Sequence, residues 1–270
     1  MDTTARREGN IEARYGAAQA SGAVDVAQRI WGSPDAIMLI FAGSAAEFAV
    51  NKAVDWLFWT NALPDAPIER FFETVRFAQD IVFGDDERAR AAIEAVNRAH
   101  KGVERSRASR IPQWAYRDVL FMLIDYGERA HALVFGPMTP AEQIAHFQSS
   151  VGIGHGMHIE GLPASYTEYQ TERKAHLRDH TERSTLTESL YARYRQHLGA
   201  VRMRALLDLQ ASLVPEEVRV LLGLKRKRRV ELLLRIYRHV RRPDWLRRLY
   251  PFCLPRPFGS HLAALERPIA

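Results

Sequence analysis

Two stretches of the chain are apolar on nearly every face. The first leans apolar from Ala36 to Trp59 and is interrupted by Glu47, Lys52 and Asp55. The second opens at Ile111-Pro112 and runs through Trp114, Val119, Leu120, Met122, Leu123 and Tyr126 to Phe135. A helix that offers water so little polar surface belongs in the middle of a protein, so both stretches predict central core helices. The three charges inside the first argue against a membrane span. Asp125, inside the second, needs a partner or a polar pocket, because an unpaired buried carboxylate is costly. No stretch alternates with the period of two that a strand requires. The fold expected is all-α: a single globular multi-helix domain with central apolar helices.

Punctuation places the remaining helices. Residues 1–23 are polar with no clear apolar period and predict a flexible N-terminal arm. Trp31-Gly-Ser-Pro34 reads as a turn with Ser33 as N-cap and Pro34 at the first helical position, feeding a helix to about Ala53. Pro64 and Pro67 break the chain again. The charged, Gly-containing segment Lys101 to Arg110 reads as a loop or frayed helix end. Thr139-Pro-Ala-Glu142 is a capping box leading into a helix from Gln143 to Val151. Tyr169 to Arg178 is polar and exposed in pattern. Ser184 to Leu198 and Ala200 to Leu213 read as two amphipathic helices joined at Gly199, and a short helix ends near Gly223. Residues 24–224 are read as one helical domain, and 225–270 as a basic helical segment followed by a Pro-rich, extended tail.

Charge changes this picture in one place. The net charge is +6, yet Lys225 to Arg248 alone carries +9, leaving −3 for the rest. A charged run on a terminal helix is most often a solvated face. Tyr237, Trp245 and Tyr250 interleave with it, so contact with an anionic membrane surface is the stronger of the functional readings, and no nucleic-acid partner is expected. The single cysteine, Cys253, excludes an internal disulfide framework and any zinc site built on several thiolates, and fits a reducing compartment. Met1 to Asn10 has no signal-peptide pattern. A cytoplasmic location follows, with peripheral membrane association through the basic segment.

The candidate chemistry lies between Arg70 and His100. Gly84 is expected to close one helix in the left-handed conformation, and Asp85-Asp86-Glu87 to cap the next. Arg70 and His100 each stand about fifteen residues from that turn, which at roughly 1.5 Å per residue places them side by side, roughly 22 Å along an antiparallel pair. Arg70 and Thr74 share a helix face. An imidazole held by a helix is a good donor to iron. Arg70 stays cationic at any relevant pH and suits a haem propionate or charge developing on bound dioxygen. Phe71, Phe72 and Phe77 would supply apolar walls. The small residues Gly43, Ser44, Ala45 and Ala46 permit close approach of either another helix or a flat ligand.

Arg70-x-x-x-Thr74, the Phe83-Gly84-Asp85 turn and His100 resemble the catalytic domain shared by latex-clearing rubber oxygenases and MpaB-type oxygenases. Gly136-Pro-Met-Thr139, Gly161-Leu-Pro and Leu213-Val-Pro follow in an order and spacing like that family's later helices, so the resemblance covers roughly residues 30–224. It implies an all-helical haem b protein, with His100 as the proximal iron ligand, Arg70 and Thr74 beside the distal side, and the glycine-containing helix of Gly43 near the haem. One departure is evident. The family's rubber oxygenases carry a Lys just before the Thr, and Glu73 stands here, able to transfer protons or to pair with Arg70 or Arg76.

Other chemistries have less behind them. His155 and His158 are three apart, and His176 and His180 four apart on an expected helix, which is ligand spacing for a divalent metal. No Glu-x-x-His pair repeats on two helices, so both pairs are read as surface or pocket-lining. No phosphate loop and no Gly-x-Ser-x-Gly elbow occurs. The expectation is a haem-dependent oxidoreductase, an oxygenase using dioxygen on a hydrophobic, unsaturated small molecule. Its catalytic residues would be Arg70, Glu73 and Thr74, its cofactor contacts His100, Arg70, Phe71 and Gly43, and its metal ligand His100. The alternative is a non-catalytic helical haem- or ligand-binding protein attached to a membrane or partner through its basic segment.

Overall fold

In a computed structural model, residues 23–59, 65–240, 254–255, 261–262 and 264–267 are described. The N-terminal arm expected for residues 1–23 lies almost wholly outside them, as do Cys253 and Trp245. Among the described residues the chain is helical, with no strand beyond an isolated bridge between Asn51 and Thr181.

The two apolar stretches form the centre. α1 (Ala23–Trp31) leads into α2 (Pro34–Ala49), which Ser33 caps through the Ala36 amide with Pro34 in the first turn. A short 3-10 turn (Lys52–Val54) and α3 (Asp55–Trp59) follow α2, which ends four residues before the expected boundary. α6 (Gln113–Val134) packs along α2 in the most extensive helix contact among the described residues. Phe121, Met122, Ile124 and Tyr126 are buried on α6, and Ala36, Ile37, Ile40 and Ala46 on α2. Full burial of a large apolar side chain contributes about 1.5–3 kcal/mol, so this contact anchors the fold. Gly43 sets its closeness, since a Cβ there would stand 2.2 Å from the Tyr126 ring.

α4 (Pro67–Phe83) and α5 (Asp86–Arg107) form the expected hairpin, and Asp85 caps α5 by accepting from the Arg88 amide at 2.8 Å. Two details differ from expectation. Gly84 is extended (φ −76°, ψ 163°) rather than left-handed. A glycine is needed there for space, because a Cβ would lie 2.3 Å from the Asp80 carbonyl oxygen. The segment after His100 is not a loop: α5 continues to Arg107, and Ala108 terminates it at φ 50°. Glu104 rewards this extension by accepting from the Ile111 amide at 2.9 Å, which ties the end of α5 to the start of α6.

The later helices wrap the pair. α7 (Pro140–Gly156) starts at the Thr139 capping box and runs past the expected end at Val151 into the glycine-rich stretch. α8 (Tyr166–His180) packs on α6 and α7. α9 (Thr185–Leu213) is kinked at Gly199 (φ 75°), the junction the sequence placed between two helices. α10 (Glu216–Leu221) and α11 (Arg228–Val240) complete the order. Described pieces of the tail return to the core: Leu262 and Leu265 pack with Ile37 and Val75, and Gln79 donates to the Leu265 carbonyl at 2.6 Å.

Candidate functional site

His100 lies well inside α5, on a face it shares with Glu104 and Arg107 at i, i+4 and i+7. Its imidazole meets the Tyr116 ring edge-on at 5.1 Å. Tyr116 in turn donates to Glu104 at 3.4 Å. Arg107 lies 4.0 Å over the Trp56 ring and pairs with Asp55 at 2.5 Å, which brings α3 against the same face. Among the described residues, neither ring nitrogen of His100 has a hydrogen-bond partner. Burial holds its pKa below the ordinary histidine value; Glu104 pulls it up, and the Arg70 charge pushes it down again. The imidazole is therefore neutral near pH 7, and Arg70 is close enough across the hairpin for its charge to act on it.

Arg70, Glu73 and Thr74 lie together on the exposed face of α4. Arg70 donates to Glu73 at 2.6 Å, and the Thr74 hydroxyl donates to the Arg70 carbonyl at 2.8 Å. Of the roles open to Glu73, pairing with Arg70 is the one seen. Phe71 is half-buried and packs edge-on against Phe41 at 4.6 Å and Phe72 at 4.9 Å. The hairpin thus brings Arg70, Glu73, Thr74 and His100 into one neighbourhood. Gly43 faces the Tyr126 ring, so a helix makes its close approach.

A buried ionic network was only half legible in the sequence. Arg173, on α8, donates to both Glu47 oxygens at 2.5 and 2.6 Å and to Asp125 at 3.0 Å. Asp125 also accepts from Arg129 at 2.6 Å, and Tyr126 donates to Glu47 at 2.9 Å. Here the expectation for α8 is corrected: Tyr169, Arg173 and Leu177 form a buried face at i, i+4 and i+8. Burial raises the Asp125 pKa, but Arg173 and Arg129 outweigh it and hold the carboxyl below its usual range. A cavity of about 350 Å³ opens beside the network, lined by Asp125, Glu128, Tyr166 and Arg173 among others. Burial lifts the Glu128 pKa to about 7 against the hydrogen bond from Tyr166, at 3.0 Å, that lowers it.

A third cluster gathers at the far side of α6. His176 and His180 both direct Nδ1 at the Asp118 carboxylate, the latter at 3.1 Å to each oxygen. Asn51 donates to Asp118 Oδ2 at 2.8 Å. The His pair was visible by its spacing; Asp118 was not singled out, although a carboxylate in an apolar helix was the available signal. His155 and His158 are exposed and are not in this cluster.

The chain matches the family described as ER-bound oxygenase mpaB/B'/rubber oxygenase, catalytic domain, over residues 13–242. It belongs to that family. Comparisons with curated proteins and with solved structures found no match. The oxygenase catalytic domain of the MpaB/rubber oxygenase family accordingly includes the α4–α5 hairpin, the central α2–α6 pair and the described helices that follow. No helix among the described residues is long and apolar enough to cross a membrane.

Proposed function

We propose that this member of the MpaB/rubber oxygenase family is a haem b-dependent oxygenase of hydrophobic, unsaturated small molecules, with His100 as the residue that would hold the iron. The observation that carries the reading is the state of His100: half-buried, neutral, without a hydrogen-bond partner among the described residues, and within electrostatic reach of Arg70. That donor fits haem, since a neutral imidazole offers iron a lone pair, whereas a protonated one cannot. Haem bound there would supply the redox chemistry that makes dioxygen reactive.

The chain's own groups have separate tasks. Tyr116 restrains the His100 ring, and Glu104, beside it, favours electron donation from the imidazole. Arg70 offers a fixed cation that would face a haem propionate or the oxygen side, and Glu73 holds that guanidinium in place while offering a carboxylate for proton transfer. The Thr74 hydroxyl keeps its oxygen free to accept one more hydrogen bond. Phe71 and Phe77 supply apolar surface for a hydrocarbon substrate. Oxygen uptake by haem-loaded protein over a panel of alkenes and terpenoids tests the reading. Substrate-dependent uptake with an oxygenated product supports it; haem binding with no uptake from any of them supports the carrier alternative.

Attachment to a membrane surface has its own support. α11 turns Val230, Leu234 and Tyr237 inward and leaves Leu232, Leu233, Ile236 and Val240 exposed among arginines. A basic helix with an apolar outer stripe suits an anionic bilayer surface. Binding to phosphatidylserine vesicles should weaken as salt rises; absent or salt-independent binding would rule it out.

A further inference from the structure

We infer that Asp118, His176 and His180 form a binding site for a divalent transition-metal ion, zinc or iron(II), distinct from the His100 site. The argument begins with the donor atoms. One ring nitrogen from each imidazole and a carboxylate oxygen lie within 4.8 Å of one another. Ligand atoms on a zinc at about 2.0–2.1 Å stand ~3.3 Å apart, and His180 Nδ1 is already 3.1 Å from both Asp118 oxygens. Two histidines and one carboxylate are a ligand set for zinc or non-haem iron(II), and they leave coordination positions open.

The surroundings have the features of a supported site. Asp118 is buried on α6, and its Oδ2 is fixed by Asn51, whose own Oδ1 accepts from the Ala53 amide at 2.8 Å. Both histidines come from one face of α8, at i and i+4, so a single helix sets their mutual geometry. Apolar rings back them: Phe121 stands 5.0 Å from His176, and Trp114 4.4 Å from His180. His180 is the more exposed of the pair, at 23 % against 11 % for His176. The open coordination positions therefore face the His180 side, where water or a small ligand can enter. Tyr116, which packs on His100, and Asp118 are two residues apart on α6 and point to nearly opposite sides. The two sites are thus separated by the helix itself.

A hydrogen-bonded knot with no metal affinity is the competing account, and zinc binding distinguishes the two. Full-length protein is washed with chelator and titrated with Zn2+ by calorimetry, with elemental analysis after dialysis; haem iron does not register as zinc. One equivalent is expected, together with a rise in Tm on addition of Zn2+. His176→Ala and His180→Gln should abolish the uptake, and Asn51→Ala should weaken it ~10–100-fold. His155→Ala with His158→Ala should leave it intact. Circular dichroism checks that each variant is folded; His180→Gln, at the more exposed position, keeps the test available if His176→Ala unfolds. No saturable uptake by the wild-type chain, or uptake unchanged in a folded His180→Gln variant, would overturn the assignment.

Discussion

Arg173 on α8 grips Glu47 on α2 with two parallel hydrogen bonds, at 2.5 and 2.6 Å, and almost no part of either side chain reaches water. Breaking such a pair strands a charge, whereas removing both partners does not. Arg173→Met should therefore destabilise the protein by about 3–5 kcal/mol, read as a fall in the urea midpoint. Adding Glu47→Gln should recover part of the loss, a coupling that a double-mutant cycle measures directly. Equal midpoints for wild type and Arg173→Met would contradict the packing described for α8.

One buried histidine should cost the fold stability in mild acid. His146 is fully buried beneath α6, 3.3 Å from the Ile124 carbonyl oxygen. Burial lowers its pKa to about 4, the Ile124 carbonyl opposing and His131 adding to the effect. An unfolded histidine titrates near 6.5. Between those values the unfolded chain binds a proton that the folded chain does not. Glu128, with its folded pKa raised to about 7, works the other way over much of this range, but the His146 contribution itself falls with pH from about 6.5 to about 4, by roughly 3 kcal/mol. Asp125 acts in the same direction at lower pH. Its folded pKa is depressed, so its contribution is present above the unfolded value of about 3.9 and is lost as pH falls through the folded one. An NMR titration, with the His146 signal identified by its loss in His146→Gln, should place that imidazole near 4; a midpoint near 6.5 would refute the burial argument.

The α4–α5 hairpin was legible because its signals are local: Gly84 marks the turn, although it serves for space and not for the left-handed conformation expected, and Asp85 supplies the cap. Arg173 and Asp118 were not. Their burial depends on partners from distant parts of the chain, Glu47 for the first and His176, His180 and Asn51 for the second. A polar helix such as α8 carries only two apolar residues on its inner face, Tyr169 and Leu177, too few to mark the arginine between them as buried. The extension of α5 was missed for a related reason. Residues 101–107 have little apolar content, and their support comes from Glu104 and Arg107 reaching α6 and α3.

Arg70 and Glu73 separate stability from chemistry. Their pair is about half exposed on both sides, at 48 % each, and exposed pairs contribute at most about 1 kcal/mol. Arg70→Ala should shift the thermal midpoint little while lowering the oxygen-uptake rate of haem-loaded protein by about 10²-fold. A variant that keeps wild-type uptake would remove Arg70 from the oxygen side.

The most direct measurement is the absorption spectrum of the full chain after haem supplementation. The account predicts a strong Soret band in the wild-type protein and its loss, or a shift marking a changed iron ligand, in His100→Ala with helicity retained. A colourless wild-type protein, or a His100→Ala spectrum identical to the wild type, would contradict it.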